Sequence, residues 1–184
     1  MKQNLMIVAH PDDEIIFGFP SLHNINFVSE PKVVSVTNAD HPGRSLEFQT
    51  CMKRLGVQDY DMYNYKDEWD NSFENTDIKE RLQDLIFAGK YKQIITHNAN
   101  GEYGHSQHKA LNQIINQLVT DQELWVFEQL DHALDFHNLK WKLDILQDVY
   151  KSQYNIGTFD WHHPTNRQNN MMEWITKCGI KRIK

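Results

Sequence analysis

The chain has 184 residues and a formal net charge of −6 at pH 7, with 40% hydrophobic and 24% charged positions. This length suffices for one domain with a sizeable core. We expect a single domain over residues 1–184, with a core at 4–153 and an aromatic-rich tail at 154–184. The negative charge disfavours a nucleic-acid partner, because binding to phosphates needs clustered lysine and arginine side chains.

The longest strongly apolar run extends from Leu5 to Ala9. It is too short for a membrane anchor or for the core of a signal sequence. Cys51 and Cys178 lie far apart, without the spacing of a zinc knuckle or a redox pair, so we expect reduced, structural thiols. Together these features predict a cytoplasmic protein without a membrane anchor.

Short apolar runs alternate along the chain with segments of helical periodicity, which is the pattern of a parallel sheet with crossover helices. The sequence therefore predicts an α/β fold. In chain order, the predicted elements are strands at 4–9 and 32–37, a helix at 43–55 closed by Gly56, a strand at 60–65, a helix at 77–88, a strand at 93–97, a helix at 105–119, a strand at 124–128, and helices at 138–151 and 169–178.

Polar residues follow several of the predicted strands, and the carboxyl ends of parallel strands form the usual ligand-binding edge of an open α/β sheet. The first strand is followed by His10, Asp12 and Asp13. The fourth is followed by "THNANGEYGHSQH" at 96–108. We expect these two clusters to face the same edge of the sheet.

A catalytic zinc site usually has three protein ligands, drawn from imidazole and carboxylate groups, and one open position. His10, one aspartate of the first cluster and one histidine of the second would meet that count. His105 and His108 are three positions apart and would share one helix face. Of the adjacent Asp12 and Asp13, one can bind a metal while the other handles a proton.

Simpler interpretations of the same residues remain open. An Asp-Asp pair before a helix often serves only as an N-cap, and we interpret Glu14 as a carboxylate in the first turn of that helix. A His-x-x-His pair often lies on a polar helix surface. The metal hypothesis rests on the joint occurrence of both clusters after predicted strands.

Four stretches resemble the successive motifs of the PIG-L/LmbE-like zinc-dependent N-deacetylases: "AHPDDE" at 9–14, "GRSLEFQTCMKRLGV" at 43–57, "THNANGEYGHSQH" at 96–108 and "YKSQ" at 150–153. The resemblance implies a Rossmann-like three-layer α/β sandwich. It also implies a hydrolase for linear amides that removes the acetyl group from a small-molecule or glycan substrate containing N-acetylglucosamine.

By position, the resemblance implies that His10, Asp13 and His108 hold one Zn²⁺ per chain, a ligand set that would also suit Fe²⁺. Asp12 would then be the general base. His105 would stabilise the oxyanion or protonate the leaving amine, with help from Tyr103, which would polarise the carbonyl group. The resemblance also implies that Arg44 contacts the substrate.

The chain departs from the family pattern at several positions. Ala39 replaces a common glycine in the loop before the arginine, and His41 and Pro42 follow it. Ser106 and Gln107 replace a common Pro-Asp pair, which is expected to leave His105 without a carboxylate partner. These differences affect the expected substrate pocket rather than the metal ligands.

Other functions compatible with the sequence are a catalytically silent sugar- or nucleotide-binding domain of the same fold and a metal-dependent hydrolase of a different bond. A homo-oligomer is compatible with all of them. We expect His97 to have a structural role near the site. The tryptophans at 69, 125 and 141 are assigned to the core or its edge, and Trp161, His162, His163 and Trp174 to packing in the tail.

Overall fold

The computed structural model describes residues 4–19, 31–70, 72–74, 76–154 and 166–184. Trp161, His162 and His163 lie outside these ranges. The elements in chain order are β1 (Asn4–Val8), α1 (Asp13–Ile16), β2 (Lys32–Thr37), α2 (Pro42–Leu55), β3 (Tyr60–Tyr65), α3 (Ile78–Gly89), β4 (Gln93–Thr96), α4 (Gly101–Gly104), α5 (Ser106–Leu118), β5 (Glu123–Gln129), α6 (Phe136–Asp148), α7 (Asn166–Lys177) and β6 (Cys178–Arg182).

The strands form one six-stranded sheet in the order β3-β2-β1-β4-β5-β6. Strands β1 to β5 pair in parallel, and β6 pairs antiparallel with β5. At the centre, Met6 of β1 lies between Val33 of β2 and Ile95 of β4. The predicted α/β fold with a mostly parallel sheet is confirmed. The direction of the strand order reverses between β1 and β4, where open sheets of this kind form a ligand-binding crevice.

Alternate residues of the strands face opposite sides of the sheet, which gives the protein two hydrophobic clusters. Leu5 and Ile7 pack in the cluster covered by α3 and α5. Met6 and Val8 pack in the cluster covered by α1, α2, α6 and α7. The fold therefore has three layers, with the sheet in the middle, and Trp174 of α7 is buried in the second cluster.

Helix α2 begins one residue before the predicted start. His41 is its N-cap, with Nδ1 accepting a hydrogen bond from the Arg44 N–H at 3.2 Å, and Pro42 is its first residue. Gly56 ends the helix with a φ of 73°, as its predicted C-cap role requires. The unusual His41-Pro42 pair thus contributes to the start of a helix.

The end of the chain differs from the prediction. Helix α7 ends at Lys177, and Cys178–Arg182 form strand β6, so the predicted helix through residue 178 is wrong there. Antiparallel pairing with β5, in which Phe127 is opposite Ile180, satisfies the backbone of this short segment. The segment is too short for an alternation of apolar and polar residues to indicate a strand in the sequence.

Within the described ranges, no helix is long and apolar enough to cross a membrane. The thiols of Cys51 and Cys178 are free and buried on the same side of the sheet, which agrees with the structural role expected for them.

Candidate metal centre and active site

The two sequence clusters meet at the carboxyl ends of β1 and β4. Thr96 donates a hydrogen bond from Oγ1 to the carbonyl of Ile7 at 2.9 Å, and the N–H of Ala9 donates to Nε2 of His97 at 3.0 Å. Because β1 and β4 are neighbours in the sheet, residues that are 88 positions apart in the sequence become adjacent. The expected shared edge is therefore present.

Three donor atoms from these clusters form a compact triangle. Nδ1 of His10 lies 3.2 Å from Oδ2 of Asp13 and 3.2 Å from Nε2 of His108, and the last two atoms are 3.4 Å apart. In a tetrahedral zinc site, ligand–metal bonds of about 2.0–2.1 Å place the ligand atoms roughly 3.3–3.4 Å from one another. The triangle therefore fits one face of a zinc tetrahedron.

Outer partners hold the two imidazoles of this triangle. Nε2 of His10 lies 2.8 Å from Oε1 of Gln107 and 3.3 Å from Oδ1 of Asp67, so this nitrogen carries the proton and Nδ1 is free to bind a cation. Nδ1 of His108 lies 2.6 Å from Oε2 of Glu102, which leaves Nε2 free in the same way. Hydrogen bonds of this kind orient metal-binding histidines.

Among the residues that the structure describes, two groups of three side chains have ligand atoms close enough to hold a metal ion. One group is His10, His105 and His108, and the other is Asp13, His97 and His108. In both groups the ligand atoms lie within 4.8 Å of one another, and all five side chains are buried. His97, which was expected near the site, thus lies next to the proposed ligands.

Asp12 is buried beside the triangle in a backbone conformation that is uncommon for a non-glycine residue, with a φ of 110°. Its side chain makes no N-cap hydrogen bond, which argues against the simpler interpretation of the Asp-Asp pair as a helix cap. Instead Oδ2 lies 3.5 Å from Nη2 of Arg44, and the same guanidinium nitrogen donates to the carbonyl of Pro11.

The environments of the two aspartates shift their pKa values in opposite directions. Burial raises the pKa of Asp12 well above its usual value, against the opposing effect of Arg44. Burial alone would raise the pKa of Asp13, but the imidazoles of His108, His10 and His97 lower it well below its usual value. Of the two adjacent carboxylates, Asp13 is therefore the more acidic and Asp12 the more basic.

His105 and Tyr103 lie next to the imidazoles of the triangle. His105 is the N-cap of α5, and its Nδ1 accepts a hydrogen bond from the N–H of Gln107 at 3.3 Å. Its ring stacks on that of His108 at 4.6 Å between centroids, and the Tyr103 ring lies 5.5 Å from His108. Burial, followed by repulsion from His108 and His10, lowers the pKa of His105 to about 3. The ring is uncharged at neutral pH, and its Nε2–H is the available donor.

Arg44 is buried rather than placed on the surface of α2. Besides its contacts with Asp12 and Pro11, its Nη1 lies 3.8 Å from Oε2 of Glu47. Within the described residues, Nη1 makes no hydrogen bond. The arginine therefore supports the loop of Asp12 and retains one donor for a further contact.

Glu14 lies in the first turn of α1, as interpreted from the sequence, but it is buried there and not exposed to water. Its side chain is fully buried, accepts a hydrogen bond from the Tyr150 hydroxyl, and accepts the N–H of Asp12 at Oε2 over 3.0 Å. Burial raises the pKa of Glu14 to about 7. Helix α1 has only four residues and packs inside the protein, which removes this carboxylate from water.

The segment after β3 contributes side chains to the site that were not predicted from the sequence. Asp67 reaches His10, and Trp69 packs its ring edge-on against His105 at 4.5 Å and parallel to Tyr103 at 6.0 Å. Trp69 is 45% exposed, so it lies at the rim of the site and not in the core. The acidic residue and tryptophan directly after a predicted strand were the available signal for this placement.

Glu102, whose side chain is buried, and the partly buried Tyr154 also lie at the site. Glu102 contacts both His97 and His108, and burial, with a further contribution from Asp12, raises the pKa of Tyr154 well above its usual value. Burial alone would raise the pKa of Glu102, but His97 and hydrogen bonds from the imidazoles lower it to about 2.

Comparisons with known proteins find a family model and a relative that match this chain. The family model described as PIG-L, GlcNAc-PI de-N-acetylase, matches residues 5–119. The uncharacterized protein L374 of Acanthamoeba polyphaga mimivirus is 32% identical over 171 residues, which cover 83% of this chain and 72% of that protein.

Two solved structures have the same fold. The N,N'-diacetylchitobiose deacetylase of Pyrococcus horikoshii has a TM-score of 0.70 at 13% identity, covering 99% of this chain and 84% of that chain. The 4-carboxy-2-hydroxymuconate hydratase GalB of Pseudomonas putida has a TM-score of 0.70 at 12% identity, covering 100% and 97%. One fold thus serves a deacetylase and a hydratase, and the match to the family model over more than half of the sequence shows that this chain belongs to the PIG-L family.

Proposed function

We propose that the chain is a zinc-dependent N-deacetylase that removes the acetyl group from a substrate containing N-acetylglucosamine. Membership of the PIG-L family supports a hydrolytic deacetylase. The observation that carries the proposal is the triangle of His10 Nδ1, Asp13 Oδ2 and His108 Nε2, whose edges of 3.2–3.4 Å fit a divalent cation. These three residues would hold the zinc ion.

Amide hydrolysis needs an activated water, stabilisation of charge on the amide oxygen, and a proton for the leaving nitrogen. Zinc, when bound, supplies a Lewis acid that polarises the carbonyl and lowers the pKa of water toward about 7. Asp12 is the proposed base, because its buried carboxylate lies beside the triangle and has a raised pKa. Arg44 and the Glu14 carboxylate hold its loop in place.

His105 and Tyr103 are proposed to act on the substrate carbonyl. Nδ1 of His105 is occupied by the N–H of Gln107, so an uncharged His105 presents Nε2–H as its donor. This donor can stabilise negative charge on the amide oxygen, and the Tyr103 hydroxyl can assist from the same side. A neutral donor performs this step without placing another positive charge near the ion.

The rim of the site suggests how a sugar ring is recognised. Trp69 is partly exposed next to His105 and Tyr103, and an exposed indole can pack against the apolar face of a pyranose. The segment also carries Asp67, Glu68 and Asp70. These carboxylates favour neutral or cationic amino sugars over anionic substrates.

The direct test measures free amine and acetate released by the purified, zinc-loaded protein from N-acetylglucosamine and its oligosaccharides. We expect stoichiometric release of both products. Zinc binding without either product would support the silent binding domain. Turnover of an unsaturated carboxylate by addition of water, measured in parallel, would support a hydratase like the structural neighbour from Pseudomonas putida.

Replacing Trp69 with alanine is expected to raise the KM for the acetylated sugar by about 2- to 10-fold with a smaller change in kcat. The range corresponds to the roughly 0.5–1.5 kcal/mol of an aromatic ring contact. Phe136→Ala, which removes an aromatic ring that is 77% exposed at the start of α6, is the matched control and should leave both constants unchanged. A fall in kcat with an unchanged KM would contradict a substrate contact and indicate an effect through His105.

A further inference from the structure

Glu102 is a buried carboxylate that the proposed reaction does not use. Its side chain has no solvent exposure. Oε2 lies 2.6 Å from Nδ1 of His108 and 2.9 Å from Nδ1 of His97, while Oε1 accepts the N–H of Asn98 at 2.8 Å. One carboxylate therefore contacts two imidazoles and a backbone amide at once.

The backbone at Glu102 is held in an unfavourable conformation to make these contacts. Its φ is 55° and its ψ is −76°, a backbone conformation that residues other than glycine rarely adopt. The N–H of Glu102 donates to Oδ1 of Asn98 at 3.2 Å, which helps to keep the turn in this conformation. The backbone conformation of this turn therefore determines where the Glu102 carboxylate lies.

The contacts of Glu102 determine where each imidazole carries its proton. An ionised carboxylate only accepts hydrogen bonds, so the Nδ1 atoms of His97 and His108 are both donors. In the neutral form of each ring, which the N–H of Ala9 directed at Nε2 requires for His97, the lone pair is then on Nε2. Nε2 of His108 faces Nδ1 of His10 and Oδ2 of Asp13, whereas Nε2 of His97 accepts the N–H of Ala9 at 3.0 Å.

The hydrogen bond that His97 accepts from Ala9 distinguishes the two groups of potential metal ligands. His97 Nε2 lies 3.4 Å from Asp13 Oδ2, a distance similar to those within the triangle. However, the lone pair of this nitrogen already accepts the N–H of Ala9, the residue between β1 and His10. Binding a metal through this atom would leave a buried N–H without an acceptor, which is costly.

We infer that Glu102 is a positioning residue for the cation site: it fixes the His108 proton on Nδ1, so that Nε2 faces a divalent cation, and it keeps His97 as a backbone acceptor outside the ligand set. This inference rests on the proposed zinc site of His10, Asp13 and His108. It assigns different roles to two adjacent imidazoles through one shared carboxylate.

The first experiment measures Zn²⁺ affinity by competition with a chromophoric chelator. Glu102→Gln should weaken Zn²⁺ binding by about 10- to 100-fold, because an amide cannot accept hydrogen bonds through its nitrogen and cannot satisfy all three donors. The matched control is Glu123→Gln at the opposite end of the sheet, where the carboxylate accepts hydrogen bonds from Gln93 and Trp125. The control should bind Zn²⁺ like the wild type.

The second experiment uses only the wild-type chain, so it does not depend on the folding of a variant. In ¹⁵N-labelled protein loaded with ¹¹³Cd²⁺, we expect scalar coupling from the metal to Nδ1 of His10 and Nε2 of His108, a protonated Nδ1 on His108, and no coupling to His97. Coupling to His97, or a His108 ring protonated on Nε2, would overturn the inference.

The outcomes distinguish this inference from the proposed function. If the wild type binds no Zn²⁺, both fail. Circular dichroism of the metal-free proteins checks that Glu102→Gln is folded. If the folded variant and the wild type bind Zn²⁺ equally tightly, only the role of Glu102 is wrong. Weaker binding by folded Glu102→Gln, together with the expected coupling pattern, supports it.

Discussion

Asp12→Asn is expected to lower the rate of deacetylation by about 10²- to 10⁴-fold, the usual contribution of a general base. Asparagine has nearly the same shape but cannot take a proton from water. The proposed metal ligands His10, Asp13 and His108 are unchanged, so the variant should still bind one zinc ion per chain. Elemental analysis and an amine-release assay on the same preparation measure the two quantities separately.

The control for this experiment is Asp40→Asn, which neutralises an exposed aspartate in the loop after β2. It removes the same charge without changing the buried site and should retain full activity. Undiminished turnover by Asp12→Asn would show that Asp12 is not the base. Loss of both zinc and activity would instead place Asp12 among the ligands.

His108→Ala is expected to abolish stoichiometric zinc binding and to reduce activity to the uncatalysed background. The side chain is fully buried, and its Nε2 is one of the three corners of the triangle. The loss of affinity should exceed the 10- to 100-fold effect of removing an outer partner of a ligand. Wild-type protein stripped with a chelator should regain activity when zinc is added, whereas the variant should not.

His137→Ala, which removes an exposed imidazole on α6, is the corresponding control and should bind zinc normally. Retention of one tightly bound zinc by His108→Ala would contradict the proposed ligand set. Both groups of potential ligands contain His108, so such a result would require a site elsewhere in the chain.

Much of the centre could be predicted from the sequence because its residues follow strands directly. His10 and Asp13 come immediately after β1, and neighbouring parallel strands bring such residues to one edge whatever the intervening loops do. The α/β fold with a mostly parallel sheet also followed from the alternation of apolar runs and helical segments. Both predictions depend on periodicity, which is visible without a structure.

The roles of Glu102, Asp67 and Trp69 could not be predicted in the same way. Glu102 reaches two imidazoles only because its backbone adopts a positive φ, and no residue pattern in the sequence indicates that conformation. Asp67 and Trp69 follow a predicted strand, which indicates the edge of the sheet, but their contacts with His10 and His105 depend on how the segment after β3 folds over the site. The buried position of Glu14 depends on the packing of a helix of only four residues, which is too short to show a periodic pattern.

The separation of the proposed ligands along the chain has a consequence for folding. His10 and His108 are 98 positions apart, and their rings meet only when β1 and β4 are paired at the centre of the sheet. An unfolded chain would offer these groups at widely scattered distances, so nearly all of the free energy of ion binding would add to the stability of the native state. The ion would therefore act as a cross-link between the two halves of the sheet, and its occupancy would report on the cooperativity of unfolding as well as on catalytic competence.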